Sequence, residues 1–419
     1  MNGGSKRTVL VSDAGRGSAV SVIRSLGQRG WRVVAASSER IVPGFYSRWT
    51  HASLRHSRPR EDPEGAVDAL LEALSRHDVS LLVPVTDEII LPVLARRAEF
   101  EARCTVALPA TERYLAMRDK WATIELARRL GVPVPRSVLV TDHDSAVAQA
   151  EQIGWPVVVK PRYSYRYDAG RGRAAHVAYA PDRASLMAQL ATVPPEGVVL
   201  QERVKGEGQG IGLLLHEGTP LAAFGHRRLR EYPWTGGASA CRESIALDEP
   251  LYRVAVDILA DLRWTGLAMA EFKVGPAGPT LMEVNGRIWG SLPLAVRGGV
   301  DFPALLADLL ICGRRPQAVL GDYREGVRSR DLELERLWIT SVLSGRSTPG
   351  FPLPPPRRRA LAAAARLVSP SDGYDIACLD DPLPGMVELT KMCAAGTSSL
   401  LRRRKSRCAT AGPTDAAPP

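Results

Sequence analysis

The sequence predicts a mixed α/β and α+β protein, with an N-terminal domain on a parallel sheet, a larger α+β body and a C-terminal extension. Three observations carry that expectation. The first hundred residues alternate short apolar strands with amphipathic helical stretches, the βαβ rhythm of a parallel sheet covered by helices. Further on, strand segments come in consecutive pairs, IGLLLH with its return PLAAFGH and then a hairpin over 268–285. Finally, 419 residues exceed one ordinary core and call for two or three domains.

Taken in order, Thr8–Ser12 is a buried-type strand, followed by a turn at Gly15 and Gly17 and an amphipathic helix through Leu26. Trp31–Ala36 is a second strand. A helix over 64–76 leads into LLVPVTDEII, a third strand with polar residues at its C-terminal end, and Val106–Leu108 closes the sheet. Met117–Leu130 is one helix stopped by Gly131, and VPVPRS is an extended linker, since each residue before a proline is pushed out of the helical region. A helix over 144–153, a strand over 157–160 and the polar loop PRYSYRYDAGRGRAA follow. Val198–Gln201 is a strand leading through Glu202–Gly206 into the pair IGLLLH and PLAAFGH. A helix over 251–262 precedes the hairpin AMAEFKVGPAGPTLMEVN, and Asp301–Ile311 is an apolar helix that Gly313 stops. Beyond 318 come a helix at 330–343, a Pro/Arg-rich linker at 349–359 and an Ala-rich helix at 360–367. The residues past 403 are basic, then rich in Ala, Pro and Thr, a composition that favours disorder. No internal repeat is visible.

The formal net charge is +10, which favours anionic partners in general, although the arginines are spread along the chain. Six cysteines without a CxxC pair indicate neither a zinc site nor a disulfide framework, and fit a reducing compartment. The N-terminus runs almost at once into TVLVS, leaving no room for a signal peptide, and no apolar run approaches bilayer length. The expectation is a soluble, cytoplasmic protein without membrane partners.

The most informative segment is the hairpin. If it is symmetric about Ala277, Glu271 and Glu283 face each other, and Asn285 projects from the same sheet face. Like charges directly opposite in a sheet are destabilising unless something positive sits between them. Two carboxylates and an amide oxygen are hard ligands of the kind magnesium takes when it also holds phosphates. A solvated hairpin is the plainer alternative, but both glutamates sit in apolar strands, where an unpaired carboxylate is costly.

Other segments carry weaker signals. Lys160 ends the strand VVVK, and Lys120 opens a helix in RDKWATIELA; each can act as a point charge on phosphate, or be an ordinary surface lysine. Gln201, Glu202, Arg203 and Val204 sit at a strand end whose free backbone groups can read an adenine edge. His226, Arg227, Arg228, Arg230 and Arg242 surround Gly236-Gly237 in a basic loop suited to an acidic substrate, or simply solvated. The turn after the first strand has Gly15 and Gly17, but Val20 stands at the third glycine of GxGxxG. Even with Glu39 as a candidate ribose partner, a structural tight turn is the better reading there than a dinucleotide site.

Together these segments resemble the ATP-grasp superfamily over residues 5 to 315, most closely carboxylate–amine ligases related to biotin carboxylase and the carbamoyl phosphate synthetase large subunit. The resemblance rests on the helix lysine before GVPVP, VVVKP, the QE-x-V-x-G hinge, AEF and EVNGR. It implies an N-terminal pre-ATP-grasp domain (1–112) and a two-subdomain ATP-grasp domain (113–317, lid about 130–198). A helical extension (318–403) and a disordered basic tail (404–419) complete the chain. Carried over, Lys120 and Lys160 contact phosphates, Gln201, Glu202 and Val204 form the adenine hinge, and Glu207 or Gln209 reaches the ribose. Glu271, Glu283 and Asn285 hold magnesium, with manganese as an alternative, and Arg287 stabilises a developing acyl phosphate. His226, Arg227, Arg242 and Ser291 are candidate substrate residues. Where the family often has a glycine-rich phosphate loop, this chain has Tyr163, Tyr165, Arg166 and Tyr167 before Gly170 and Gly172.

The activity so implied is ATP-dependent joining of a small-molecule carboxylate to an amine through an acyl phosphate, in a monomer or a homodimer. Bicarbonate activation, as in carbamoyl phosphate synthesis or biotin carboxylation, is a rival. A nucleotide-binding protein without catalysis is another. A nucleic-acid-binding role would account for the charge, but no DNA- or RNA-binding motif is recognisable. Substrate choice would lie in the turn at Gly15–Ser18, the strand end Thr86-Asp87-Glu88 and the loop His226–Arg242.

Overall fold

Thr8–Val11, Arg32–Ser37, Thr50–Arg55, Val79–Val83 and Thr105–Val106 form one parallel sheet, ordered third, second, first, fourth, fifth. The computed structural model describes residues 7–168, 170–191, 196–315, 318–345, 353–369 and 372–394; the tail expected after 403 lies outside them. Thr50–Arg55 is a strand that its sequence does not announce. It lies at the sheet edge, its residues alternating between half-buried and exposed, so THASLR needs no apolar run. LLVPVTDEII is not one strand. Pro84 cannot donate to the ladder, the strand ends at Val83, and Asp87–Ala95 is a helix.

Met117–Leu130 divides into the helices Thr111–Arg118 and Lys120–Arg129. The break is Asp119, whose extended backbone lets its carboxylate accept the N–H groups of Trp121 (3.0 Å) and Ala122 (3.3 Å). Next comes a four-stranded antiparallel sheet ordered Ala178–Ala180, Val157–Pro161, Val198–Glu202, Ser137–Val140. The helices His143–Ile153 and Arg183–Leu190 pack on one of its faces through Ala146, Ala150, Leu186 and Leu190. Val157 and Val159 point into that core, so Val158 and Lys160 point the opposite way. The stretch expected as a polar loop after Lys160 contains a second hairpin, Tyr165–Asp168 with Arg171–Ala174.

The largest sheet runs Gly278–Asn285, Gly266–Gly275, Glu207–His216, Thr219–Tyr232, Ala238–Ser244, Arg328–Arg330, Gly373–Tyr374, with Val319–Leu320 beside Thr219–Tyr232. The region after 318 is therefore not only helical: besides the helices Leu332–Ser344 and Arg357–Ala365 it adds three short strands to this sheet. The basic "loop" His226–Arg242 is two long paired strands turning at Gly236-Gly237. One face of the sheet buries Ile211, Leu213, Ala268, Ala270 and Phe272 against helix Glu249–Asp261. On the other, Leu214, Met269 and Trp289 share a core with helix Phe302–Cys312 and with Val9, Val11 and Leu81 of the N-terminal sheet.

Candidate active site

The first-noticed pair arrives as expected, by a different route. The hairpin turns on Pro276-Ala277, with Gly275 opposite Gly278, and a bulge at Met282 shifts the register by one residue. That shift sets Glu271 opposite Glu283 and Asn285 opposite Met269, all on the sheet face away from helix Glu249–Asp261. The neighbouring strand presents Gly208, Gly210 and Gly212 on this face. A Cβ at Gly210 would lie 2.4 Å from the His226 ring, and one at Gly212 would lie 2.5 Å from the Trp289 indole. The glycines of GQGIG thus clear a bare stripe into which those rings lie.

Opposite this face stands the four-stranded sheet, and a cleft of about 840 Å³ separates the two. Lys160, Gln201, Glu202, Val204, Glu271 and Glu283 all line it. Lys160 is buried, which pushes its ammonium below the ordinary 10.5; Glu283 and Glu271 push it back up and Lys120 lowers it further. Those four charges therefore share one field. Lys120 donates from Nζ to Ser164 Oγ (2.5 Å) and from its backbone N–H to Arg162 O (3.1 Å).

Something positive does sit by the carboxylates. Arg228 Nη2 lies 2.5 Å from Glu271 Oε2, and its Nη1 lies 3.2 Å from Glu231, which Lys273 also holds at 3.0 Å. Asn285 Nδ2 donates to Glu271 Oε1 (3.2 Å). Glu283 has no hydrogen bond or ion pair among the described residues. The donor set fits a magnesium ion: two carboxylates and an amide, one carboxylate uncommitted. With no cluster of three or more His, Cys, Asp or Glu among the described residues, such an ion would need further oxygens from its ligand. The cleft also holds a buried acceptor without a partner among the described residues, Gln201 Oε1; the nitrogen of the same amide, Nε2, donates to Ser137 Oγ (3.0 Å).

Glu202 spends its carboxylate on Arg136, accepting the backbone N–H and the guanidinium Nε at 2.8 Å each. The Glu202 N–H donates to Arg136 O (2.9 Å), so only its carbonyl and the backbone at 203–204 are left to read a base. Glu207 and Gln209 alternate with Gly208 and so point to the opposite face, toward Arg227, which pairs with Glu243 at 2.6 Å. The structure does not bring Glu207, Gln209 or Arg227 into the cleft. His226 faces the cleft side but is buried, and its ring, pushed down to about 3 by burial and by Arg228 and Arg242, meets Ser291 Oγ at 3.2 Å. Arg242 is buried too, bonded to Ser239 O (2.8 Å) and to Asp375 of the C-terminal region. His226, Arg242 and Ser291 are packed residues here, and Arg227 is partly exposed on the opposite face.

A second cavity adjoins the first, sharing Lys160, Gln201, Met282 and Glu283, and reaches Asp87, Tyr114, Arg118, Asn285 and Arg287. Gly286 permits the turn out of the strand, since a Cβ there would lie 2.4 Å from the buried Trp264 ring. Arg287 then reaches Asp87 of the N-terminal domain (Nε to Oδ2, 3.0 Å), and the Tyr114 hydroxyl donates to the other Asp87 oxygen. Burial pushes the Asp87 carboxyl up, but Arg287, Tyr114 and Arg118 outweigh it and hold it below the usual carboxylate range.

Sequence reasoning missed Tyr114 and Asp119. Asp119 fastens the segment after Lys160: Arg162 Nη2 reaches it at 2.7 Å and the Tyr163 hydroxyl at 3.0 Å. The following hairpin then bonds to the N-terminal domain, Tyr167 Oη to Glu88 O (2.8 Å) and Gly172 N to Arg60 O (2.8 Å). An aspartate just before a helix-opening lysine is an N-cap signal, and it was there to be read. The Gly15–Ser18 turn is covered: a Cβ on Gly17 would lie 2.8 Å from Asp375 Cβ.

No model of a known protein family matches the chain. A 217-residue stretch, 49% of the chain, is 36% identical to the C-terminal section of the carbamoyl phosphate synthase large chain of Methanopyrus kandleri, covering 39% of that protein. The chain thus spans well under half the length of this curated relative. Among solved structures, biotin carboxylase from Campylobacter jejuni matches 77% of the chain and 74% of its own, with a TM-score of 0.59 at 15% identity. L-amino acid ligase from Bacillus licheniformis matches 73% and 74%, with a TM-score of 0.55 at 17% identity. At such identities the likeness to solved structures concerns the fold. No helix among the described residues is long and apolar enough to cross a membrane.

Proposed function

From the ATP-grasp fold of this chain we propose that it is an ATP-dependent ligase that activates a small-molecule carboxylate as an acyl phosphate for attack by an amine, releasing ADP and phosphate. The observation that supports this best is the convergence of Lys160, Glu271 and Glu283 on one cleft between two sheets, with Lys120 in the same field. Phosphoryl transfer asks a protein mainly for positioning and charge neutralisation, and this side of the cleft offers both. Lys120 and Lys160 are assigned to the phosphates, and the backbone at 202–204 with the Gln201 amide oxygen to the base. Glu271, Glu283 and Asn285 would hold magnesium, which supplies charge neutralisation on the phosphate oxygens.

Arg287 is assigned to the acyl phosphate, with Asp87 and Tyr114 fixing its guanidinium. The adjoining cavity lined by Asp87, Tyr114, Arg118 and Arg287 is then the place for the carboxylate substrate. Substrate choice follows from that cavity more than from the packed residues His226, Arg242 and Ser291 or from Arg227 on the opposite face. The protein works as a soluble cytoplasmic enzyme in this reading. The test is magnesium-dependent ADP release across mixed panels of amino acids and carboxylic acids. A response that needs two compounds together supports ligation; one that needs bicarbonate alone favours the rival. Glu283→Ala should cost about 10²-fold or more in turnover, as loss of a preorganised electrostatic group does. Full turnover in that variant would sink the assignment.

A further inference from the structure

We propose that a pocket on the far side of the large sheet, separate from the cleft, binds a compact multivalent oxyanion of the phosphate class. The pocket measures about 380 Å³ and is lined by Arg230, Arg328, Arg330, Arg359, Arg366 and Trp338. None of these lines the cleft or the cavity beside it.

Two walls build it. Arg230 comes from one and Arg328 and Arg330 from the other of the two strands that flank Ala238–Ser244, whose buried Cys241 pairs with both Arg230 and Arg330. The facing wall is one side of the helix that begins at Arg357. Residues 359, 362, 363 and 366 recur at the spacing that keeps side chains on one helix face, and they read Arg, Ala, Ala, Arg. The two alanines leave the space that the two arginines overhang.

Carboxylates hold the sheet arginines closely; the helix, packed on Trp338 through Ala360 and Ala363, presents arginines without a close carboxylate among the described residues. Glu335 takes Arg230 Nε at 2.6 Å and Arg330 Nη1 at 3.1 Å; Asp372 also takes Arg330; Glu243 takes Arg328 Nε at 2.7 Å. Arg230 Nη1 and both Nη groups of Arg328 make no hydrogen bond among the described residues. Arg359 makes no side-chain bond among them, and the contact of Arg366 with Asp372 is a long 3.7 Å. Five guanidiniums thus meet three carboxylates, one of which, Glu243, is shared with Arg227 as well. Guanidinium forks with spare donors on two facing walls suit a phosphate's several oxygens better than a single carboxylate, and the volume admits a small phosphorylated molecule.

The test is calorimetric titration of the full chain with inorganic pyrophosphate at constant ionic strength, the balance made up with chloride. The Lys120→Ala/Lys160→Ala variant removes the phosphate contacts assigned to the cleft, and pyrophosphate binding should survive in it. Adding Arg359→Glu and Arg366→Glu should weaken that binding at least tenfold. Both arginines are exposed, so the fold should persist, and an unchanged circular dichroism melt checks it. Binding that is lost in the lysine variant, is indifferent to the charge reversal, or is matched by chloride alone would overturn the proposal. None of these outcomes bears on whether the cleft is a ligase site.

Discussion

Arg228→Met is the perturbation that most directly tests the electrostatics of the cleft. Arg228 stands at Glu271 where a magnesium ion held by that carboxylate would place its own charge, so protein cation and metal cation compete. With their charge centres ~4 Å apart, the pair is worth about 4 kcal/mol at an effective dielectric near 20. The side chains are 13% and 22% exposed, and Glu231 draws on the same guanidinium. Because partly exposed pairs deliver only a fraction of that figure, the net coupling is on the order of 1–2 kcal/mol. Methionine keeps most of the stem and removes the charge. Magnesium affinity, measured calorimetrically by titrating MgCl₂ into protein saturated with ADP, should then tighten roughly 5- to 30-fold. Without magnesium the variant should lose about 1–3 kcal/mol, the cost of leaving a half-buried carboxylate without its partner. Thermal melts at graded MgCl₂ should show the loss recovered as the ion binds. Magnesium affinity that stays level or falls in the variant, while Glu271→Gln abolishes binding, would refute the idea of competition.

Three further outcomes are expected. Lys160→Met should reduce ATP turnover by ~10²-fold or more, since it removes a preorganised charge. It should also change the alkaline limb of stability. The folded Lys160 pKa lies below 10.5, so the unfolded chain binds more protons in the window between the folded value and 10.5, and stability rises with pH there; the methionine variant lacks that rise in denaturant titrations. Asp87→Asn releases Arg287 and Tyr114. Its folded pKa is depressed, so its contribution is present above the ordinary 3.8 and vanishes as pH falls through the folded value; wild type and variant should converge in stability in acid. Asp381→Ala removes the acceptor of Arg24 Nε (2.9 Å), Ser47 Oγ (2.7 Å) and Arg48 N (2.9 Å), tying the C-terminal region to the N-terminal domain. Limited proteolysis should then cut near 372–381 much faster than in the wild type, and equal rates would mean the tie is dispensable.

The parts of the fold legible in the sequence were those whose pattern answers to one neighbour. The strands Thr8–Val11 and Val157–Pro161 are buried and apolar, and the hairpin glutamates stood out because their strands are otherwise apolar. The strands 225–244 were not legible for the opposite reason. Both their faces carry arginines, Arg227 paired to Glu243 on one and Arg228 to Glu271 on the other, so no apolar–polar alternation survives. The hairpin at 165–174 bonds to Arg60 and Glu88, 79 or more residues away in the chain, and no local signal encodes that. The strands Val319–Leu320, Arg328–Arg330 and Gly373–Tyr374 are too short to show any period.

That same difference separates what is general in this site from what is particular. The residues that the resemblance named, Lys160, Glu271, Glu283 and Asn285, meet by sheet register and strand alternation, which any sequence with this hairpin and this strand would reproduce. The residues around the adjoining cavity meet by long-range pairing across domains, Arg287 with Asp87 and Arg118 with the Tyr165 carbonyl. Asp87 fixes one edge of the Arg287 guanidinium through Nε, while its Nη1 turns back to the Ile288 carbonyl (3.0 Å), leaving Nη2 as the donor without a hydrogen bond among the described residues. An arginine held on two sides presents that donor in one direction only. Asp87 is already paired with Arg287, Tyr114 and Arg118, so a carboxylate that approached from the cavity would meet two guanidiniums around one acid. If Arg287 takes the substrate carboxylate, Asp87→Asn, which frees its guanidinium, should raise the KM for that carboxylate in the ADP-release assay, and an unchanged KM would count against the role.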